Sequence, residues 1–300
     1  MNRLEILSPK IDFVFKRIFG NEKHPKILIS FLNSVMTNSD PIESVEILNT
    51  DIEKEHIDDK FSRLDIKAKT NKGEVVNIEI QLKNEYNMIK RSLYYWSKMY
   101  ENQLGEGQNY DKLARTVCIN ILNFKYLKSE KAHTCYRLKE LETNEELTDV
   151  QEIHFIELPK MPEADTEITD IFTAWIEFIN NPISGNLKHM EMTVEEIKEA
   201  KEELFRISSN EKERMLYEDR RASLLDKVSA LENAERKGLQ KGLQQGLQKG
   251  LQQGIEKGEY SKAIENARNF LNLGIDVEIV AQGTGLSLEE VKKIKDELNK

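Results

Sequence analysis

Apolar residues recur at helical spacing near the start of the chain and at alternating positions further on. The early spacing predicts an amphipathic helix over residues 10–19, closed by Gly20, and a second over residues 25–36. Later stretches predict helices over residues 88–104 and 167–179, and strands over residues 45–49, 61–70, 75–82, 116–122, 134–138 and 152–158. The pattern therefore predicts a compact α/β domain over residues 1–181.

The chain beyond this domain reads as helical and highly charged. Residues 182–236 form a predicted helical arm, with helices over residues 194–207 and 210–235. Residues 237–260 then repeat a four-residue unit of Gly, Leu and Gln. Each interior glycine destabilises a helix by about 1 kcal/mol relative to alanine. We therefore expect the repeat to be helical only when it packs against a partner, and otherwise to be unstructured. Two interpretations follow: a helix that makes a homo-oligomer through its small-residue stripe, or a flexible linker.

Residues 261–300 read as a small unit of three short helices, broken at Gly274 and at residues 283–285. Ser287 and Glu290 have the spacing of a capping box. The arrangement is similar to a helix-turn-helix, but the last helix opens with Leu288 and two glutamates. Acidic residues at that end suit phosphates and bases poorly, which favours a structural or dimerising unit over a reader of DNA sequence.

Charge and composition narrow the functional classes. The net charge of -9 argues against indiscriminate nucleic-acid binding, although residues 83–125 carry a basic excess. The two cysteines, Cys118 and Cys135, give neither a disulfide framework nor zinc-ligand spacing, and we expect both to be buried thiols. The five histidines have no spacing typical of a shared site. Without a membrane-spanning apolar run or a secretory segment, the protein is expected in the cytoplasm.

The segment over residues 62–82 contains the most informative pattern. Asn71, Lys72 and Gly73 form a plausible turn between two alternating strands, so residues whose numbers sum to 144 should lie opposite each other. One face is then apolar, with the pairs Leu64–Ile80, Ile66–Ile78 and Ala68–Val76. The other face is polar, with the pairs Arg63–Gln81, Asp65–Glu79 and Lys67–Asn77.

This register places the carboxylates of Asp65 and Glu79 across from each other. Like charges in that position are unfavourable, and a divalent cation would compensate them. Mg²⁺ suits such a pair because it takes few carboxylates and keeps several waters. The alternative is an exposed hairpin on which Arg63 and Lys67 neutralise the two acids.

Asp65, followed by Glu79-Ile80-Gln81, resembles the D…(D/E)-x-K signature of the PD-(D/E)XK nucleases, with Gln in the Lys position. The surrounding segments SPKIDFVFKRIFG, RLDIKA, VVNIEIQL, RSLYYWSKMYENQL and GQNYDKLARTVCINIL follow one another as in the Rpn family of recombination-promoting nucleases and transposases. The resemblance covers residues 8–122. It implies a restriction-endonuclease-like αβββαβ core with a mixed central sheet, followed by a helical C-terminal extension.

The same resemblance implies a Mg²⁺-dependent endonuclease that hydrolyses phosphodiester bonds of double-stranded DNA. By family it would serve recombination or transposition-like processes. Asp65 and Glu79 would be metal ligands, together with the carbonyl of Ile80. Gln81 would orient water or the scissile phosphate, although an amide cannot supply the positive charge of a lysine.

Further site residues are expected on two helices. Asp12 and Lys16 lie one helical turn apart, as auxiliary site residues or as a simple i,i+4 ion pair. Arg91, Tyr94 and Lys98 form a stripe suited to phosphate contact, whereas the neighbouring Tyr95 and Trp96 are expected in the core. The competing function is a non-catalytic DNA-binding or oligomerising regulatory protein on a nuclease-like scaffold.

Overall fold

A computed structural model describes residues 5–36, 40–52, 62–63, 65–161 and 168–298. The helices lie at Asp12–Phe19 (α1), Pro25–Val35 (α2), Met88–Glu101 (α3), Ile171–Asn180 (α4), Lys188–Thr193 (α5), Glu195–Ser209 (α6), Glu211–Asn272 (α7), Val277–Thr284 (α8) and Leu288–Leu298 (α9). The strands lie at Val45–Leu48 (β1), Asp51–Ile52 (β2), Ser62–Arg63 (β3), Ile66–Thr70 (β4), Val75–Gln81 (β5), Thr116–Leu122 (β6), His133–Lys139 (β7) and Glu146–Glu157 (β8).

A mixed sheet forms the centre of the fold. In the described part of the chain, six strands follow the spatial order β1-β4-β5-β6-β8-β7. The strands β1, β4 and β5 pair antiparallel, β5, β6 and β8 pair parallel, and β7 pairs antiparallel to β8. The mixed α/β class expected from the sequence is therefore present, and its two central strands, β5 and β6, are almost continuously buried.

Both faces of the sheet are covered by helices. Val76, Ile78 and Ile80 of β5 point into the main core, which also contains buried residues of α1, α2, α4 and α6. An aromatic cluster joins α1, α2 and α4 through Phe19, Phe31, Trp175 and Phe178. The opposite face packs beneath α3, where Tyr95 and Met99 meet Cys118 and Phe155. Because side chains alternate along a strand, the odd-numbered residues of β5 lie on the face beneath α3.

The register of the β4–β5 hairpin is the predicted one over its described ladder. The observed partners are Ile66–Ile78, Lys67–Asn77, Ala68–Val76 and Lys69–Val75. The prediction of one continuous strand is wrong, however, because β4 begins only at Ile66. Arg63 belongs to a separate two-stranded ladder, where it pairs with Asp51 and not with Gln81. Phe61 and Leu64 lie outside the described residues, and so does the predicted pair Leu64–Ile80.

Helix α6 extends the compact unit beyond the predicted end of the domain at Asn181. Ile197, Ala200, Leu204 and Ile207 are fully buried in the main core. Their spacing of three and four residues places them on one face of the predicted helix, and that face packs against the domain. The first compact unit consequently runs over Met1–Leu225.

The second unit, Asp226–Lys300, has a small core of its own. Its buried residues are Ala267, Val280, Leu286, Val291 and Ile294. Gly274 and Gly285 adopt φ values of 79° and 74°, the left-handed backbone that ends a helix and favours glycine. The predicted capping box is confirmed: Ser287 N–H donates to Glu290 Oε2 at 2.8 Å, and Glu290 N–H donates to Ser287 Oγ at 3.3 Å.

The glycine repeat is helical, as a continuous part of α7. The helix has the form that the oligomer interpretation requires, and the choice between the two interpretations stays a prediction. The repeat leucines are exposed by 65–75%, at positions 239, 243, 247 and 251. A Cβ atom added at any of the repeat glycines would meet nothing within 4 Å. No helix among the described residues is both long and apolar enough to cross a membrane.

We expect the triple substitution of Gly242, Gly246 and Gly250 by Ala to strengthen this helix. Alanine gains about 1 kcal/mol over glycine at each interior position, and open space surrounds all three sites. Slower amide hydrogen exchange over residues 238–258 should report the gain. Unchanged or faster exchange would contradict a helix limited by glycine propensity alone.

Candidate functional site

Asp65 and Glu79 converge where the β4–β5 ladder begins. Asp65 N–H donates to Glu79 Oε1 at 3.2 Å, and Ile80 N–H donates to Asp65 Oδ2 at 2.9 Å. The two residues are only 8% and 2% exposed. The break before β4 has a direct consequence here, because it lets the Asp65 side chain reach the backbone of β5. The hairpin face is thus not the exposed surface of the alternative interpretation.

Burial and proximity make the negative charge of this pair unfavourable. Burial raises the pKa of Asp65, although the Ile80 N–H and the nearby Lys16 oppose the rise. Burial, followed by the charge of Asp65, raises the pKa of Glu79 to about 8. Near neutral pH the pair by itself therefore tends to hold a proton. A cation placed between the two carboxylates would stabilise their charged forms and so oppose both shifts.

Two basic side chains approach the pair from different helices. Lys16 Nζ of α1 lies 3.4 Å from Asp65 Oδ1. Arg91 Nη2 of α3 lies 3.3 Å from Glu79 Oε2, and Arg91 Nε donates to Tyr95 Oη at 2.9 Å. The pKa of Glu79 stays raised even with these contacts. The two cations therefore compensate the acids only in part.

Asp12 stands at the start of α1, one turn before Lys16. Its carboxylate accepts bonds from Arg220 Nε at 2.9 and 3.0 Å, and Arg220 Nη2 also bonds to it. Sequence reasoning missed Arg220, which lies 208 residues from its partner. No local signal marks it, because the surrounding part of α7 reads as an ordinary charged helix.

Ile80 and Gln81 direct their peptide groups to opposite edges of β5. The Ile80 N–H reaches Asp65, and the carbonyl of the same residue points to the same edge. The Gln81 carbonyl accepts from Asn123 N–H at 2.9 Å, on the β6 side. The half-buried side chain of Gln81 shares the odd-numbered face with Glu79. The predicted ligand carbonyl and the predicted amide therefore lie beside the acidic pair.

The helical stripe predicted for phosphate contact has mixed surroundings. Arg91 faces Glu79, and Lys98 Nζ lies 3.3 Å from Glu101 Oε2. Tyr94 is half-buried against the core beneath α3. Tyr95 is buried as expected, whereas Trp96 is half-buried and donates from Nε1 to the Thr116 carbonyl at 3.0 Å. Of the stripe, Arg91 is the residue in direct contact with the acidic pair.

A second polar cluster lies between β7 and β8. Cys135, Glu152 and His154 offer ligand atoms within 4.8 Å of one another, and His133 Nε2 lies 2.9 Å from His154 Nδ1. The expectation of isolated histidines is wrong, because strand pairing sets Cys135 opposite His154. Cys135 is also exposed, unlike the expected buried thiol, whereas Cys118 is buried. The spacing of two residues within each strand was the available signal.

The contacts of Glu152 do not favour a cation in this second cluster. Its Oε1 is 2.6 Å from Arg115 Nη2 and 2.7 Å from His154 Nε2, and its Oε2 bonds to Arg137. Burial alone would raise the pKa of Glu152, but hydrogen bonds and charge from His154 and Arg115 hold it well below its usual range. Glu152 is thus already compensated, whereas the Asp65–Glu79 pair is not.

We expect Glu79→Gln to stabilise the metal-free protein. The raised pKa of Glu79 means that the wild-type fold loses stability as pH rises from about 4.5 to about 8, because the folded state must then release a proton that it binds more tightly than the unfolded state does. The amide removes this loss and still accepts from Asp65 N–H. At pH 8 the gain should be on the order of 1 kcal/mol, measured by denaturant unfolding without divalent ions.

The control for this prediction is the same comparison at pH 4.5, where the advantage of the amide should vanish. A variant that is less stable than wild type at pH 8 would contradict the inference that the charge of the pair is unfavourable.

Residues 9–234 match the family model described as PD-(D/E)XK nuclease family transposase. No curated protein matches the chain, and no solved structure does. The matched range contains α1, the β4–β5 hairpin, α3 and the part of α7 that carries Arg220. Since the match spans most of the chain, the protein belongs to the PD-(D/E)XK nuclease family transposases.

Proposed function

We propose that this protein is a metal-dependent endonuclease that hydrolyses phosphodiester bonds of double-stranded DNA. The observation that carries the proposal is the buried, converging pair of Asp65 and Glu79, whose charge is only partly compensated. Family membership supports a nuclease-type hydrolase. A regulatory protein on a nuclease-like scaffold, the competing function, would not require two acidic side chains to be buried next to each other.

The residues present fit a divalent ion such as Mg²⁺. Asp65 and Glu79 would hold it, with the Ile80 carbonyl directed to the same edge of β5. Such a ligand set leaves room for water and a phosphate oxygen. The chemistry that the ion supplies when bound is a lower pKa for a coordinated water and stabilisation of charge on the phosphodiester.

The other side chains of the site have roles that follow from their charge and position. Lys16 and Arg91 each contact one of the two carboxylates, so an ion held there frees their positive charge for the phosphate. Gln81 lies on the face of Glu79, where its amide orients water or the scissile phosphate. Because that amide is neutral, the positive charge at the phosphate must come from the bound ion or from other side chains.

The DNA path follows from the position of α3. Arg91, Tyr94 and Lys98 project from this helix, which covers the face that carries Glu79. Tyr94 and Lys98 contact the phosphate backbone of the DNA that leads to the acidic pair. The net charge of -9 over the whole chain limits non-specific binding. We therefore infer a nuclease that does not bind DNA indiscriminately along its length. Its family indicates that it acts in recombination or transposition-like processes.

Plasmid nicking should require both a divalent ion and Asp65. We expect Asp65→Asn to lower cleavage with Mg²⁺ on the order of 10³-fold, because the isosteric amide removes a charge that the ion needs. Calorimetry should show Mg²⁺ binding to the wild type and a loss of binding in the variant.

The matched control is Asp149→Asn, an exposed aspartate on β8 that lies away from the acidic pair. It should cleave at the wild-type rate. Equal cleavage by wild type and Asp65→Asn, or cleavage that survives chelation of divalent ions, would rule out the proposed function.

We also propose that the repeat makes the protein a homo-oligomer. Its leucine row is exposed along α7, and six interior glycines weaken a lone helix. The small side chains allow a second helix to approach closely, and the leucines then supply apolar contact area. A period of four residues exceeds the helical period, so two such helices should cross in the right-handed sense.

Deletion of residues 237–258 should abolish concentration-dependent self-association. Light scattering over a range of concentrations measures the mass of the full chain and of the deleted chain. The matched variant is Gly242→Leu with Gly246→Leu, which keeps the length but blocks close approach of two helices. A mass that is unchanged by both alterations would reject the proposal.

A further inference from the structure

Arg220 joins the site from a helix that lies far along the chain. Its Nε donates to both oxygens of Asp12, at 2.9 and 3.0 Å, and its Nη2 bonds to Oδ2. The guanidinium and the carboxylate therefore form a two-pronged pair, which fixes the direction of the planar guanidinium group. Asp12 lies on α1 one turn before Lys16, and Lys16 contacts Asp65.

Several contacts hold this part of α7 against the start of the chain. Ser8 N–H donates to Tyr217 Oη at 3.4 Å, and Arg214 Nη1 donates to the Glu5 carbonyl at 2.9 Å. Arg17 Nε lies 3.1 Å from Glu213 Oε2. Because these contacts belong to the first compact unit, Arg220 is placed by the nuclease domain itself. The family match also extends past Arg220, to residue 234.

The pairing leaves part of the guanidinium available. The bonds to Asp12 use Nε and Nη2, and among the described residues Nη1 has no partner. The Arg220 side chain is 47% exposed, whereas that of Asp12 is 14% exposed. An anion that arrives from solvent can therefore reach the guanidinium more readily than the carboxylate. Arginine suits a phosphate because its remaining N–H groups can bind two oxygens at once.

The same pairing makes Asp12 a poor ligand for a divalent ion. Both of its oxygens already accept bonds from Arg220. A divalent ion at that carboxylate would lie next to a fixed positive charge. Asp65 and Glu79, by contrast, contact one cation each among the described residues, and the pKa of Glu79 stays raised. These contacts divide the roles of the three acids. Asp65 and Glu79 are available to bind the ion, whereas Asp12 binds Arg220.

We propose that Arg220 binds the DNA phosphate at the acidic pair and supplies the positive charge that Gln81 lacks, while Asp12 acts as a positioning residue that holds Arg220. This inference deepens the proposed nuclease function and rests on it. Asp12 then serves the reaction through the arginine and not as a metal ligand.

The test uses the full chain and four variants: Arg220→Ala, Arg220→Lys, Asp12→Ala and the double variant Asp12→Ala with Arg220→Ala. We expect Arg220→Ala to lower Mg²⁺-dependent nicking about 10²-fold, and Arg220→Lys to recover part of the loss. Asp12→Ala should also lower nicking, and the double variant should be no slower than Arg220→Ala. Such non-additivity is expected when one residue acts only through the other.

Two readouts other than nicking separate these roles. Calorimetry should find Mg²⁺ affinity within about 2-fold of wild type for Asp12→Ala and Arg220→Ala, whereas Asp65→Asn loses binding. DNA binding without metal should depend less steeply on salt for Arg220→Ala, with a slope smaller by about 1 in a plot of log affinity against log salt. The matched control is Arg221→Ala, an exposed neighbour that pairs with Glu218 at 3.5 Å and should leave the salt slope and nicking unchanged.

Three results would overturn the inference. Tighter Mg²⁺ binding with faster nicking in Arg220→Ala would show that the arginine inhibits the site. A loss of Mg²⁺ affinity in Asp12→Ala would make Asp12 a metal ligand. A salt slope and nicking rate equal to those of Arg221→Ala would remove Arg220 from the site. If the wild type does not nick DNA, the proposed function fails, and the salt slope still decides whether Arg220 contacts phosphate.

Discussion

Two carboxylates lie buried beside each other where β4 begins against β5, and the surrounding structure must tolerate their repulsion. Asp65 and Glu79 reach this position because each accepts a hydrogen bond from the backbone near the other. The backbone groups therefore hold the pair together while its charges oppose each other. An arrangement of this kind is unfavourable for stability alone and is typical of a site that a cation completes.

The positive charges around the pair come from three separate parts of the fold. Lys16 lies on α1, Arg91 on α3 and Arg220 on α7, and each contacts an acidic side chain of the site. Since each pairs with a different acid, the metal-free site is a set of ion pairs, which under the proposed function are exchanged for contacts to an ion and a phosphate. Under that proposal, these three side chains supply the positive charge of a site whose acidic motif is followed by Gln81 in place of a lysine.

The contrast with Glu152 shows why a cluster of ligand-type residues is not by itself a metal site. Glu152, His154 and Cys135 are close enough to share an ion, but Arg115 and Arg137 already occupy the Glu152 carboxylate. The direction of the pKa shift distinguishes the two clusters: it is lowered for Glu152 and raised for Glu79. The second cluster instead ties β8 to its two neighbours, because Arg137 of β7 and Arg115, which directly precedes β6, both pair with Glu152.

Local patterns in the sequence determined the hairpin register, the buried strands and the helical capping box, because each depends on residues close together in the chain. The register followed from a turn and a period of two, and the family resemblance followed from motifs along the first part of the chain. Only the tertiary structure decided that β4 begins just after Asp65, that His133 meets His154, and that Arg220 meets Asp12 across 208 residues. These contacts depend on how whole helices and strands pack, and no spacing in the sequence encodes a partner so distant.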